Sequence, residues 1–163
     1  MKLSTRGRYG TRAMHELALH WNQGPVMLRS IAANQNISAK YLEQLLTQIK
    51  NAGLIRVVRG AKGGFLLSKP PQEITLKEIL FALEGDLSLV ECVSFKDYCE
   101  MSDDCPTRWV WVELSRTILS TLETLTLQDL LERSNEKKKA TDHVEKSLLQ
   151  AISATATNKS KKQ

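Results

Sequence analysis

No stretch of this chain approaches the ~18 consecutive apolar residues that a membrane span needs, although hydrophobic residues fill 42% of its 163 positions, enough for a folded core. The start, Met1-Lys2-Leu3-Ser4-Thr5-Arg6, has no apolar segment behind it, so no secretory signal is expected and the chain reads as a cytoplasmic protein with no membrane partner. Cysteine is scarce: Cys92, Cys99 and Cys105 are the only three. An odd count gathered in one acidic stretch is not the disulfide framework of a small secreted domain. In a reducing cytosol, clustered thiols point to metal or redox chemistry instead. Paired Cys-x2-Cys units are also missing, which excludes a zinc ribbon. No nucleophile–base pair, phosphate loop or catalytic carboxylate pair stands out, so an enzyme is not expected.

What is present is charge, and it is segregated. Residues 1–70 hold 11 Lys/Arg against 2 Asp/Glu, residues 71–133 hold 5 against 13, and residues 134–163 hold 7 against 3. Segregation of this kind means that different surfaces meet different partners. A strongly basic first half favours a polyanion, of which nucleic acid is the commonest; the plain alternative is a solvated basic face.

Residues 6–21 read as a helix, with Tyr9, Ala13, Met14, Leu17 and Trp21 at helical spacing and Gly24-Pro25 as the stop. Residues 28–34 form a short second helix, followed by a tight turn at Gln35-Asn36-Ile37. Ser38 is a good N-cap for a helix over 39–52, striped by Leu42, Leu45, Leu46 and Ile49. Gly53 then sits where a positive φ closes the helix. Two β-type runs, 54–58 and 65–67, flank Arg59-Gly60-Ala61-Lys62-Gly63-Gly64 and predict a hairpin. Helix, helix, turn, helix, hairpin is the order of a winged helix-turn-helix, whose second motif helix enters the major groove. The predicted fold is mainly α: a winged helix with a small β-hairpin wing, over residues 1–71, plus a long dimerisation helix.

Thr75-Leu76-Lys77-Glu78 is a capping box that opens a helix ending near Gly85. Residues 72–105 thus make a connecting helix and a long polar loop over 86–104, a length of loop that is usually functional or disordered. Pro106 suits a helix's first turn, and the helix is expected to run to about Leu125. Its apolar surface (Trp109, Val110, Val112, Leu114, Ile118, Leu119, Leu122) is wider than packing on a small domain needs. That predicts a homodimer interface over 106–133, with ordinary packing as the alternative. A second capping box at Thr126-Leu127-Gln128-Asp129 starts a short helix to Arg133. Residues 134–163 are polar and lysine-rich, and disorder is expected over most of them, with a transient helix through Val144, Leu148, Leu149 and Ile152.

On the predicted recognition helix, Lys40, Tyr41, Glu43, Gln44, Thr47, Gln48 and Lys50 are offered to a partner. Glutamine bonds adenine bidentately and glutamate accepts from the cytosine amine, so Gln44 and Glu43 are base-reading candidates. Lys40 and Lys50 suit phosphates, and Arg59, with Lys62 beside it on the wing, suits a narrow, strongly negative minor groove. Arg6 and Arg8 are placed to touch the DNA backbone. A solvated helix face is the competing interpretation.

The spacing Cys-x6-Cys-x5-Cys leaves a loop long enough to wrap a bulky group, and thiolates are the preferred ligands of iron–sulfur clusters. Cys105 lies at a predicted helix N-terminus, which favours its thiolate; Glu91, Asp97, Glu100, Asp103 and Asp104 oppose it. Three thiolates are one ligand short of the usual four. An oxygen or nitrogen ligand, a residue of the other subunit or an exogenous group is left to complete the set; His15, His20 and His143 are the only histidines.

The opening Met1-Lys2-Leu3-Ser4-Thr5-Arg6-Gly7-Arg8-Tyr9-Gly10 resembles the IscR/NsrR-type family of winged-helix iron–sulfur transcriptional regulators. So do Ile37-Ser38-Ala39-Lys40-Tyr41-Leu42-Glu43-Gln44-Leu45, the wing Val58-Arg59-Gly60-Ala61-Lys62-Gly63-Gly64-Phe65, the three cysteines and Leu125-Thr126-Leu127-Gln128-Asp129-Leu130-Leu131. The resemblance spans about residues 1–133. It implies a homodimer with two clusters and crossed long helices, whose binding to promoter DNA is controlled by the cluster and so by cluster supply, iron, oxidants or nitric oxide. It implies that Lys40, Tyr41 and Gln44 read the major groove and Arg59 the minor groove. It implies that Cys92, Cys99 and Cys105 hold a 2Fe-2S or 4Fe-4S cluster. Members of the first type place a histidine three residues after the last cysteine, where this chain has Arg108; members of the second use an acidic residue in the partner's first helix, where this chain has Arg8. A metal-free thiol/disulfide redox sensor on the same fold is the alternative function, and an iron–sulfur carrier a more distant one.

Overall fold

Ser4 opens the first helix because its hydroxyl accepts from the backbone N–H groups of Arg6 and Gly7, two donors that no helical carbonyl reaches. The computed structural model describes residues 4–136. Helix α1 (Thr5–Leu19) turns Ala13, Met14 and Leu17 inward and stops two residues before the predicted Trp21, where the chain bends through His20 and Asn22 takes φ 63°. Helix α2 (Leu28–Gln35) ends on Asn36 in the left-handed conformation. Helix α3 (Ala39–Asn51) is capped by the Ser38 hydroxyl on Tyr41 N–H, 3.2 Å, and buries Leu42, Leu45, Leu46 and Ile49 almost completely. Gly53, at φ 76°, lets the chain leave α3 directly into the hairpin.

Strands β1 (Ile55–Val58) and β2 (Gly64–Leu67) pair antiparallel, from Ile55 opposite Leu67 to Val58 opposite Gly64. A further stretch of backbone joins them: Val26 and Phe65 exchange both backbone hydrogen bonds, 3.0 and 2.9 Å, which pins the hairpin to the link between α1 and α2. The architecture is the mainly helical winged helix that the sequence predicts.

After a 3-10 turn (Pro71–Glu73), the Thr75/Glu78 capping box forms in both directions and opens α4 (Leu76–Glu84). Burial works against the Glu78 carboxylate, but hydrogen bonds from Lys69 and Thr75 and the Lys69 charge hold it below the usual carboxyl range. Ile79, Leu80 and Leu83 face the core formed by α1 and α3. Gly10 allows a close approach there, since a Cβ at that position would stand 2.2 Å from Leu83 Cδ1. At the far end of α4, Glu84 accepts from Gly7 N–H at 2.8 Å and from the Ser4 hydroxyl, tying α4 back to the start of α1.

The segment expected as a loop over 86–104 is partly ordered. It contains a one-turn helix, α5 (Glu91–Ser94), and a 3-10 turn (Lys96–Tyr98). The last long helix, α6 (Arg108–Thr124), starts two residues later than predicted, so Pro106 precedes the helix instead of sitting in its first turn. The chain then returns to α4: Leu76 N–H donates to Leu125 at 2.8 Å and Leu127 N–H to Ile74 at 2.9 Å. The Thr126/Asp129 box opens a further helical stretch whose first residues, 127–129, close the compact unit ending at Asp129. Residues 130–136, the described part of the following unit, are helical, past the Arg133 end expected from the sequence. The predicted disorder and transient helix beyond residue 136, and His143, lie outside the described residues.

Candidate nucleic-acid interface and cysteine segment

Helix α3 presents Lys40, Glu43, Gln44, Thr47 and Lys50 as exposed side chains, opposite its buried leucine stripe. Tyr41 and Gln48 are half-buried, so they are less available than the sequence suggested. Tyr41 is held by an edge-on ring contact with Tyr9, centroids 6.2 Å apart. Over the Tyr9 ring stand the guanidinium groups of Arg8 and Arg12, at 5.9 and 5.6 Å. Arg12 also donates to the Gln35 side chain at 2.8 Å. Two cations are therefore gathered beside the N-terminal end of α3, a positive patch that no spacing rule in the sequence displayed. Arg6, expected at the DNA backbone, stands 3.9 Å from Glu84 and keeps its side chain half exposed.

The wing turn closes through Gly63 N–H on the Gly60 carbonyl, 2.9 Å, and leaves Arg59 and Lys62 exposed at its tip. Both sides of this surface are rich in hydrogen-bond donors, and phosphate contacts draw on such groups while base edges are read by side chains such as Gln44.

The three cysteines lie on three successive pieces of one segment: Cys92 in α5, Cys99 after the 3-10 turn and Cys105 just before α6. All are free thiols, Cys99 exposed and the other two half-buried. The segment is cross-tied. Asp86 accepts from Ser94 and Ser88, which holds its carboxyl low; Glu91 bonds Tyr98 and pushes that phenol up. Lys96 pairs with Asp103 at 2.7 Å, Ser102 N–H donates to Cys99 at 2.9 Å, and Arg108 Nε donates to the Cys92 carbonyl at 3.3 Å. The Thr107 hydroxyl, 3.4 Å from Cys105 Sγ, is the main cause holding that thiol below its usual range, helped by the backbone N–H groups of Thr107 and Arg108 and by the Arg108 charge. The acidic neighbours that the sequence set against a thiolate are thus outweighed by donors. Among the described residues, no group of three or more His, Cys, Asp or Glu side chains is gathered closely enough to hold a metal ion, so the three sulfurs share a segment but not yet a common centre. In donor chemistry the set fits an iron–sulfur cluster: three thiols, one already biased to the thiolate form.

Helix α6 buries only Ser115 fully, whose hydroxyl accepts from Leu89 N–H at 3.2 Å. Trp109 is 68% exposed and Leu114 45%, on a helix that carries eight apolar residues among its 17. Among the described residues, no helix is long and apolar enough to cross a membrane.

Comparison with known proteins points one way. Residues 3–133 match the Rrf2 family, described as an iron-dependent transcriptional regulator. The chain is 39% identical over 141 residues to the HTH-type transcriptional regulator CymR of Bacillus subtilis, covering 86% of this chain and 96% of that one. It is 38% identical over 131 residues to the HTH-type transcriptional regulator IscR of Photorhabdus laumondii, covering 80% and 79%. The solved structure of CymR, described as the global cysteine regulator of B. subtilis, superposes with a TM-score of 0.69 at 39% identity, over 82% of this chain and 98% of that one.

Proposed function

This chain belongs to the Rrf2 family of transcriptional regulators, and from that footing we propose that it works in the cytoplasm as a homodimer on promoter DNA, controlled by an iron–sulfur cluster on the segment around Cys92, Cys99 and Cys105. Helix α3 enters the major groove with Lys40, Tyr41, Glu43 and Gln44 at its leading end, and the wing carries Arg59 and Lys62 to the adjacent minor groove. Homodimerisation covers the apolar side of α6, which is left exposed at Trp109 and Leu114, and sets two α3 helices one DNA turn apart.

Cys92, Cys99 and Cys105 would hold the cluster, of the 2Fe-2S or 4Fe-4S type, which when bound supplies a group sensitive to iron supply and oxidants. The observation that carries the reading is Arg108. As the first residue of α6 it donates to the carbonyl of Cys92, so the thiol-bearing segment and the long helix are one hydrogen-bonded unit. The other end of α6 is bonded to the entry of α4, which packs on α1 and α3. A rearrangement of the cysteines therefore has a contiguous path to the spacing of the recognition helices, and it biases DNA binding by favouring one arrangement over another.

Anaerobic purification tests this. Brown protein with broad visible absorption, iron and acid-labile sulfide is expected, and Cys92→Ala removes the colour while leaving helix content intact. Colourless protein carrying zinc or no metal overturns it. A second reading, a metal-free thiol switch, is favoured by one observation: Cys105 is held toward its thiolate form, and the thiolate is the species that reacts. A loss of two hydrogens in mass on mild oxidation of the colourless protein, with a change in DNA affinity, would select that reading.

A further inference from the structure

One buried carboxylate takes no part in the surfaces described above. Glu16, on α1, is only 6% exposed, and a buried charge is costly unless donors meet it. Both of its oxygens are met by amides from the end of α2: Asn34 Nδ2 donates to Oε1 at 2.7 Å and Gln35 Nε2 to Oε2 at 3.1 Å. The other side of the same Gln35 amide faces a cation. Arg12, one turn before Glu16 on α1, donates through Nε to Gln35 Oε1 at 2.8 Å and through Nη2 to the Gln35 backbone carbonyl at 3.2 Å. A guanidinium only donates and a carboxylate only accepts. The Gln35 amide therefore has one orientation that bonds both, and it bridges an acid and a base that stand four residues apart on one helix face.

Gln35 is the last residue of α2, where helix carbonyls lack partners. Asn36 follows at φ 52° and Ser38 caps α3. The bridge thus grips the turn that aims α3. The same face of α1 reaches α3 a second time: Tyr9, three residues before Arg12, meets Tyr41 in the first turn of α3 and has the Arg12 guanidinium 5.6 Å from its ring centre. Apolar side chains often hold a buried contact at least as firmly as buried charges do. What a fully bonded polar bridge adds is a single allowed arrangement. We infer that Glu16, Gln35 and Arg12 form a latch that fixes the direction of α3 relative to α1. Glu16 and Gln35 are then positioning residues for base reading, acting on sequence choice through α3; this rests on α3 being the recognition helix, as proposed above.

The test exchanges the polarity of the bridge. Glu16→Gln sets a donor against the Gln35 amide donor, and Gln35→Glu sets a carboxylate against that of Glu16, so each breaks the contact. In Glu16→Gln/Gln35→Glu the introduced amide donates to the introduced carboxylate, which still accepts from Arg12, and Asn34 keeps its acceptor. Full-length proteins are compared on two duplexes of equal length, one selected by the wild type from a random-sequence pool and one of scrambled sequence, with helix content and urea unfolding recorded alongside. Each single exchange is expected to lower the affinity ratio of the two duplexes at least about fivefold, the lower end of the effect of one mismatched base pair, and the double exchange to restore it. A purely structural role would move the unfolding midpoint and leave the ratio alone. Single variants that fold and keep the wild-type ratio, or a double variant that does not regain it, overturn the latch. If either single variant fails to fold, Arg12→Met takes its place: a lower ratio supports the latch, whereas equal weakening on both duplexes marks Arg12 as a phosphate contact and overturns it. Wild type that selects no sequence from the pool overturns the α3 reading itself.

Discussion

Gly10→Ala is expected to destabilise a helix that alanine would ordinarily strengthen. In an isolated helix interior the exchange gains about 1 kcal/mol, because alanine loses less backbone entropy than glycine. Here the added Cβ would lie 2.2 Å from Leu83 Cδ1 and 3.3 Å from its Cδ2 and Cγ, whereas carbon atoms rest at roughly 3.5–4.0 Å. Leu83 is 2% exposed, so its methyl group has no open space to enter. Overpacking of this sort costs about 1–3 kcal/mol, and an overlap of more than an ångström belongs at the upper end. The expected net loss is about 2 kcal/mol. Leu83→Ala alone leaves a cavity and costs roughly 2–5 kcal/mol. In the double variant the new methyl group occupies part of the space that Leu83 vacates, so the pair should be less destabilised than the sum by at least about 1 kcal/mol. Urea unfolding of the four proteins measures this, at one fixed chain concentration because any self-association shifts apparent stability. A Gly10→Ala protein more stable than wild type, with additive double-variant energies, would refute the close α1–α4 contact.

Gln44→Ala should lose about 1–3 kcal/mol of discrimination at one base position, read by competition between duplexes differing there; an equal loss on every duplex would make Gln44 a phosphate contact instead. Arg59→Ala should lower the slope of log affinity against log salt by about one if the guanidinium neutralises a phosphate, and an unchanged slope would remove the wing from the interface. Thr107→Val takes away the main donor to Cys105, whose pKa is depressed in the folded chain. In metal-free protein the pH profile of Cys105 alkylation should therefore move to higher pH, with slower reaction at neutrality; an unmoved profile would show that Thr107 does not hold the thiolate.

Most of the DNA-binding half can be read in the sequence because its signals are local. The Ser38 cap, the leucine stripe of α3, Gly53 and the Thr75/Glu78 box each need only a few neighbouring residues, and each forms. Pairings across the chain are not local, and they were not visible. Val26 reads as part of a link, yet it pairs with Phe65 because the hairpin folds back on it. Arg6 reads as a DNA contact, yet Glu84 lies within reach of it only once α4 crosses α1. The cysteine segment is the clearest case. Its polar composition predicts a loop, while Asp86–Ser94, Glu91–Tyr98 and Lys96–Asp103 staple it into short helical turns. The clustering of the cysteines was plain from spacing. What ties Cys92 to the long helix, the bond from Arg108 to its carbonyl, depends on groups meeting in space and left no pattern to read.

The most direct measurement is the affinity of cluster-loaded and metal-free protein for one duplex, selected from a random-sequence pool and followed anaerobically by fluorescence anisotropy. A change in affinity of about tenfold or more between the two forms, abolished in Cys92→Ala, is predicted from coupling free energies of roughly 1–3 kcal/mol. Equal affinity of the two forms would contradict control of DNA binding by the cysteine segment.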